Sequence, residues 1–269
     1  MAALRAQLEW GADEALELAP RVRLDQPRPE PARPAAAVVA PVAMRPAAPV
    51  MLAPGRRAME LAAGAGDLAQ LRAALAGFDG CALAATATNL VFTDGDPAAG
   101  LVLIGEGPGA EEDQQGRPFV GASGRLLDKM LASIGLDRTK CLITNVIFWR
   151  PPGNRTPTDS EVALCLPFML RLLALTRPRH VVTLGKLATA ALSGQNDGIR
   201  RLRGRWLPVA APGAGELGVA EGLTALAMLH PAYLLRTPSA RREAWSDMLT
   251  LREALEAGAT KPDKEASSG

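Results

Sequence analysis

LVLIGEGPGAEEDQQGRPFVGASG, residues 101–124, packs a strand, a sharp turn and a polar loop into one short segment. LVLI is apolar, partly β-branched and uncharged, which predicts a strand buried on both faces of a parallel sheet. Gly105, Gly107 and Gly109 follow, with Pro108 among them. Chain turned that sharply directs backbone N–H groups outward, where an anion or a polar ring can meet them. Glu111, Glu112, Asp113 and Gln114 come next, and GRPFVG then presents Phe119 between two turn signals. A strand end, open backbone, carboxylates and a lone aromatic read together as a ligand pocket.

The six residues Gly105–Ala110, GEGPGA, satisfy the loose dinucleotide pattern G-x-G-x-x-A after a strand. That site requires a helix beginning on the glycines, with its N-terminus facing a pyrophosphate. Pro108 and the turn-rich EEDQQGRP predict a loop instead, and the adjacent acids repel phosphate. No nucleotide cofactor is expected.

Working outward, strands and helices alternate. CLITNV (141–146), HVVTLG (180–185) and TALAMLH (224–230) read as three further strands. SGRLLDKMLASIG reads as a helix capped by Ser123, and Thr158 with Glu161 forms a capping box for the helix that follows. Asp67 is placed to cap the Leu68, Leu71 and Leu75 stripe, and Ser239 opens a final helix. This alternation predicts an α/β fold, a three-layer α/β/α sandwich around a central, mainly parallel four-stranded sheet. Ligands of such sheets sit at the carboxyl ends of the strands. Glu106, Asn145 and His230 follow three of those ends.

The flanks differ in character. Residues 1–18 suit a short amphipathic helix. Nine prolines between Pro20 and Pro54, without helical or strand period, predict a disordered linker over residues 19–56. The catalytic domain is expected over residues 57–258, with a disordered tail at 259–269. The chain has 269 residues and a net charge of +2, too mild to argue for nucleic acid by itself. Local arginine clusters at 200–205 and 236–242 carry more information. No stretch is long enough for a transmembrane helix, and early acids exclude a signal peptide. Cys81, Cys141 and Cys165 have no framework spacing, so a reducing cytoplasm is expected.

Three blocks, GEGPGAEEDQQGRPFVG, TNVIFWRPPGNRTPT and HPAYLLR, resemble the signature blocks of family 4 uracil-DNA glycosylases, in order and spacing over roughly residues 78–255. The resemblance implies hydrolysis of the N-glycosidic bond of deoxyuridine in DNA, leaving an abasic site. The target base must leave the stack before any residue can reach its C1′–N1 bond. On that resemblance Phe119 is the stacking aromatic and Asn145 the amide that accepts from uracil N3–H and donates to O4. His230 donates to O2 as charge develops there, and Glu106 orients water and favours the cationic sugar. Gly107, Glu112 and Asn154 complete the uracil contacts. Ser123 and Gly124 are assigned to a DNA phosphate at a helix N-terminus, Leu234 and Leu235 to a wedge in the duplex, and Arg236 to a flanking phosphate. His180 matches no motif and reads as structural. The expected partner is uracil-containing DNA, met by a monomer.

The family holds a [4Fe–4S] cluster through four cysteines. Cys81 and Cys165 match two of them, whereas Phe78 and Trp149 stand at the other two positions. Aromatic rings do not ligate iron, so no cluster is expected and the rings are expected to fill the space. Three other readings have less support. A relative that traps uracil-DNA covalently carries a histidine-bearing insert after the second block, which TNVIFWRPPGNRTPTDSE lacks. A non-catalytic DNA-binding module is at odds with Glu106, Asn145 and His230 standing together. A Rossmann enzyme is at odds with the loop chemistry.

Overall fold

The protein is described by a computed structural model over residues 54–259. The predicted helix at 1–18, most of the predicted linker and nearly all of the predicted tail lie outside those residues. Three helices come first: α1 (Pro54–Gly64), α2 (Leu68–Ala76) and the single turn α3 (Leu83–Thr86). Then follow β1 (Thr93–Gly95), β2 (Leu101–Gly105), α4 (Ala110–Gln115), α5 (Ala122–Ala132), β3 (Leu142–Asn145) and α6 (Asp159–Thr176). The chain continues through β4 (His180–Leu184), α7 (Lys186–Ser193), α8 (Ile199–Leu202) and β5 (Trp206–Pro208). It ends with β6 (Thr224–Met228), α9 (Pro231–Arg236) and α10 (Arg241–Ala259).

The strands form one six-stranded sheet in the order β1-β3-β2-β4-β6-β5. The inner four, β3-β2-β4-β6, are parallel, and β1 and β5 pair antiparallel at the two edges. The predicted four-stranded sheet is thus extended by one strand on each side. Thr93–Gly95 and Trp206–Pro208 are too short to show a period of two, and a proline suits only an edge strand.

Side chains alternate across the sheet as a strand dictates. On β2, Val102 and Ile104 join a core with α1, α2, α6 and α7, through Ala62, Leu71, Phe168 and Ala188. Leu101 and Leu103 join a second core on the opposite face with α5 and α10, through Leu127, Leu131, Met248 and Leu251. Both faces of the parallel strands are therefore dry, which explains why LVLI carries no polar position.

Local signals agree in most places. Asp67 accepts a hydrogen bond from the Gln70 N–H at 2.7 Å, and Thr158 and Glu161 form the reciprocal capping box of α6. Three expectations are corrected. The linker expected over residues 19–56 gives way to helix α1 already at Pro54, because a proline in the first turn forfeits no intrahelical bond. Helix α5 begins at Ala122 after an N-cap at Gly121, so Ser123 lies inside the helix and is not its cap. The segment expected to be a loop after Pro108 forms α4, N-capped by Gly109. Its acids, counted against a helix at the sequence level, stand in the first turn, where they favour the helix dipole. No described helix is long and apolar enough to cross a membrane.

Candidate active site

Parallel pairing brings the carboxyl ends of the strands to one edge of the sheet. Gly105 of β2 pairs in register with Asn145 of β3, and Leu184 of β4 with Met228 of β6. Residues just past those ends therefore converge. Glu106, Gly107, Glu112, Phe119, Asn145, Asn154 and His230 all line one cavity of about 360 Å³, together with Ser123 and Arg236.

Asn145 closes β3 and is 1% exposed. Its Oδ1 is buried without a hydrogen-bond partner among the described residues. An orphaned buried acceptor costs on the order of 1–3 kcal/mol. Asn145 is also one of the residues that line the cavity.

Phe119 lies beside it, with its ring centroid 5.6 Å from that of His230 and the planes 25° apart. Its backbone has φ 54°, an uncommon conformation for a residue with a large side chain. Three neighbours hold it there. A Cβ at Gly105 would overlap the Phe119 ring and Asn145 Oδ1, and a Cβ at Gly124 would overlap the Phe119 carbonyl. Arg138 donates to the carbonyls of Phe119 and, at 3.2 Å, Pro118. Arg138 is itself gripped by Asp94 at 2.6 Å and Asp128 at 2.8 Å. Nothing local in Asp137–Lys140 announces this role, so the sequence reading missed Arg138. Gly124 is accounted for by this close approach to Phe119.

His230 is the N-cap of α9, and its Nδ1 accepts from the Ala232 N–H at 3.1 Å. A ring nitrogen that accepts carries no proton, so the neutral imidazole bears its proton on Nε2. Burial, followed by the positive charge of Arg236, lowers its pKa to about 4. His230 is thus a neutral donor at physiological pH.

Glu106 is pushed above the usual carboxylate range by burial, against the pull of the Leu187 and Lys186 amides and Arg236. The two Glu112 oxygens accept from the Gly121 N–H at 2.8 Å and the Gly109 N–H at 3.0 Å. In this geometry Glu112 clips the two halves of the 105–121 segment together. Asn154, at φ 55°, accepts on Oδ1 from Arg150 Nε at 2.7 Å.

On the predicted DNA side, one residue is corrected. Leu234 is 1% exposed and packs with Leu229, Ala240 and Ala244. Only Leu235, at 41%, stands out from the surface, because α9 is a helix and adjacent residues point to different sides. His180 begins β4 half-buried, with its ring 6.0 Å from that of Trp206.

The four positions equated with cluster ligands are all buried. The Phe78 ring packs on Phe168 with centroids 5.4 Å apart. The Cys81 and Cys165 thiols share a hydrogen bond, which lowers the Cys81 pKa to about 7 and, with burial, pushes Cys165 well up. Two thiols and two aromatic rings do not supply the four thiolates of a [4Fe–4S] cluster. Cys141 matches no ligand position; burial pushes its thiol up to about 12, leaving it inert.

Comparison with known proteins agrees with this geometry. The Uracil DNA glycosylase superfamily profile matches residues 92–249. A type-4 uracil-DNA glycosylase of Pyrobaculum aerophilum is 36% identical over 186 residues, covering 68% of this chain and 91% of that protein. One from Archaeoglobus fulgidus is 40% identical over 177 residues, covering 64% and 85%. A type-5 uracil-DNA glycosylase of Pyrobaculum aerophilum is 32% identical over 180 residues, covering 61% and 75%. With the matched region spanning the sheet, the cavity and the helices that frame it, this chain belongs to the type-4 family of the uracil-DNA glycosylase superfamily.

Proposed function

We propose that this cavity receives a deoxyuridine flipped from DNA and hydrolyses its N-glycosidic bond, initiating base excision repair. The observation that carries the reading is the buried, unpartnered Asn145 Oδ1 in a cavity also lined by His230. Uracil offers an N3–H for that oxygen and an O4 for the amide nitrogen. Cytosine offers an unprotonated N3 and an amino group, so its pairing with the same amide fails twice.

Phe119 gives the flipped ring its platform. Water attacks C1′ and loses its proton to solvent, the electron pair of the C1′–N1 bond leaves with the base, and the charge gathering on O2 meets the Nε2–H of His230. The neutral ring acts as a hydrogen-bond donor through Nε2–H, its Nδ1 being occupied by the Ala232 N–H. Glu106 orients the water and offsets positive charge on the sugar. Gly107 and Asn154 line the pocket around the base, and Glu112 keeps the loop shaped for it. Ser123 and Arg236 stand where flanking phosphates pass, and Leu235 is the wedge.

In this reading the domain is a three-layer α/β/α sandwich acting as a cytoplasmic monomer. It uses neither a nucleotide nor an iron–sulfur cluster. Phe78, Phe168, Trp149 and the thiol pair join the loops that a cluster joins in the rest of the family.

The test is release of uracil from a single-stranded oligonucleotide by EDTA-treated protein, read as alkaline strand cleavage at the abasic site. Cleavage is expected. Folded protein that leaves the strand intact overturns the reading, and a stable protein–DNA adduct replaces it with covalent trapping.

A further inference from the structure

We propose that the first turn of α7 is a built-in holder for Glu106, with the Lys186 and Leu187 amides gripping its carboxylate and Gly185 making the approach possible. This rests on Glu106 acting as the carboxylate of the reaction proposed above.

The arrangement follows from the sheet. Strands β2 and β4 are parallel neighbours, so the residue after β2 lies beside the turn that leaves β4. The Leu187 N–H donates to Glu106 Oε1 at 3.0 Å, and the Lys186 amide beside it also favours the charged carboxylate. These are free donors of a helix N-terminus, which favours negative charge through both its N–H groups and its dipole. Glu106 is held at its backbone too, since its carbonyl accepts from the Ile147 N–H at 3.1 Å. A carboxylate fixed at both ends keeps one direction toward the cavity that it lines.

Gly185 permits this. It adopts φ 101° and ψ 172°, a region essentially confined to glycine. A Cβ there would lie 2.9 Å from Glu106 Cδ and 3.2 Å from its Cγ, and closer still to Oε1. Its N–H donates to the Met228 carbonyl at 2.9 Å, which ties the turn to the strand that precedes His230. The holder and the histidine therefore share one anchor.

The ionisable groups around Glu106 are His230, Arg236, Glu112 and Arg155 in its cavity, and Lys186 and Asp159 in the adjoining one. Among the described residues none of these side chains hydrogen-bonds its carboxylate, and the two amides, followed by the charge of Arg236, oppose the effect of its burial. Removing one amide is therefore expected to make the carboxylate easier to protonate.

Lys186 is the first residue of α7, where proline is well tolerated, and Gly185 before it accepts the extended backbone that proline imposes. Lys186→Pro deletes the donor, and Lys186→Ala deletes the side-chain charge but keeps the donor. Single-turnover uracil release across pH is expected to show the acid limb of Lys186→Pro displaced upward, with a maximal rate lower by about tenfold and little change in KM. The acid limb of Lys186→Ala should overlie the wild type. In a Glu106→Gln background Lys186→Pro should add no further loss. Superimposed limbs for the two Lys186 variants, or an undiminished loss in the Glu106→Gln background, overturn the proposal.

A measurement on the wild-type chain avoids any folding question. The Leu187 amide proton resonance should titrate with Glu106 and become static in Glu106→Gln. A Leu187 resonance that is flat through the acid limb overturns the holder. This readout also separates the two failures, because wild-type protein that releases no uracil sinks the proposed reaction while the amide titration still reports the holder.

Discussion

Asn145 illustrates how a residue can be set for a ligand at the cost of stability. Its Oδ1 forfeits a hydrogen bond in the free protein, so Asn145→Ala relieves an unsatisfied buried acceptor. Thermal unfolding of Asn145→Ala should therefore stay within a few degrees of wild type, while single-turnover uracil release falls by roughly a hundredfold. A parallel loss of both would mean that the amide is chiefly structural. His230 makes a pH prediction. Its pKa falls to about 4 on folding because burial excludes the charged ring, against an ordinary value near 6.5. Above pH ~6.5 both states are neutral and nothing is lost. As pH falls from there through ~4 the unfolded state takes up the proton first, and about 3 kcal/mol of stability drains away. Urea midpoints of wild type and His230→Gln should converge at the acid end, and persistence of the wild-type advantage at low pH would contradict this.

At the scale of elements, the segment between β2 and α5 is a short spring held by clips. Glu112 joins Gly109 to Gly121, Asp113 accepts from the Thr88 N–H at 2.8 Å, and Arg138 grips the Phe119 and Pro118 carbonyls. The strained φ of Phe119 persists only because these bonds over-determine it. Arg138→Ala leaves Asp94 and Asp128 without their cation as well. We expect a loss of roughly 2–4 kcal/mol in denaturant unfolding, with KM for uracil-DNA rising more than the maximal rate falls. An unchanged KM in folded protein would show that Phe119 keeps its place without Arg138. Helix α9 divides its leucines in the same physical way. Leu234 is core and Leu235 is surface, so Leu234→Ala should lower stability by roughly 2–4 kcal/mol. Leu235→Ala should leave stability alone and weaken release from double-stranded more than single-stranded substrate.

Over the whole molecule, Phe78, Cys81, Trp149, Cys165 and Phe168 share one apolar core, and on the proposed reading that packing stands in for a metal tie. Chelation should leave the unfolding temperature unchanged, whereas Phe78→Ala should cost about 3–5 kcal/mol. A fall in unfolding temperature on chelation would argue for a bound metal. Much of this protein was legible without coordinates. Uncharged LVLI, HVVTL and TALAM mark parallel strands because both their faces are buried, and Thr158 with Glu161 marks a helix start because capping is local chemistry. The motif residues at strand ends were legible for the same reason: parallel pairing must gather those ends on one edge. The short edge strands β1 and β5 were not, since three residues carry no period. Nor was α4, whose acids suit a polar loop and a helix start with equal local justification. What sequence alone determined was the order of elements and the edge on which the chemistry gathers, both governed by short-range pattern and burial. Tertiary structure alone decided that Arg138 locks Phe119, that Leu234 turns inward and that Gly185 opens the space for Glu106, because each depends on contact between residues far apart in the chain or on the face a helix presents to the core.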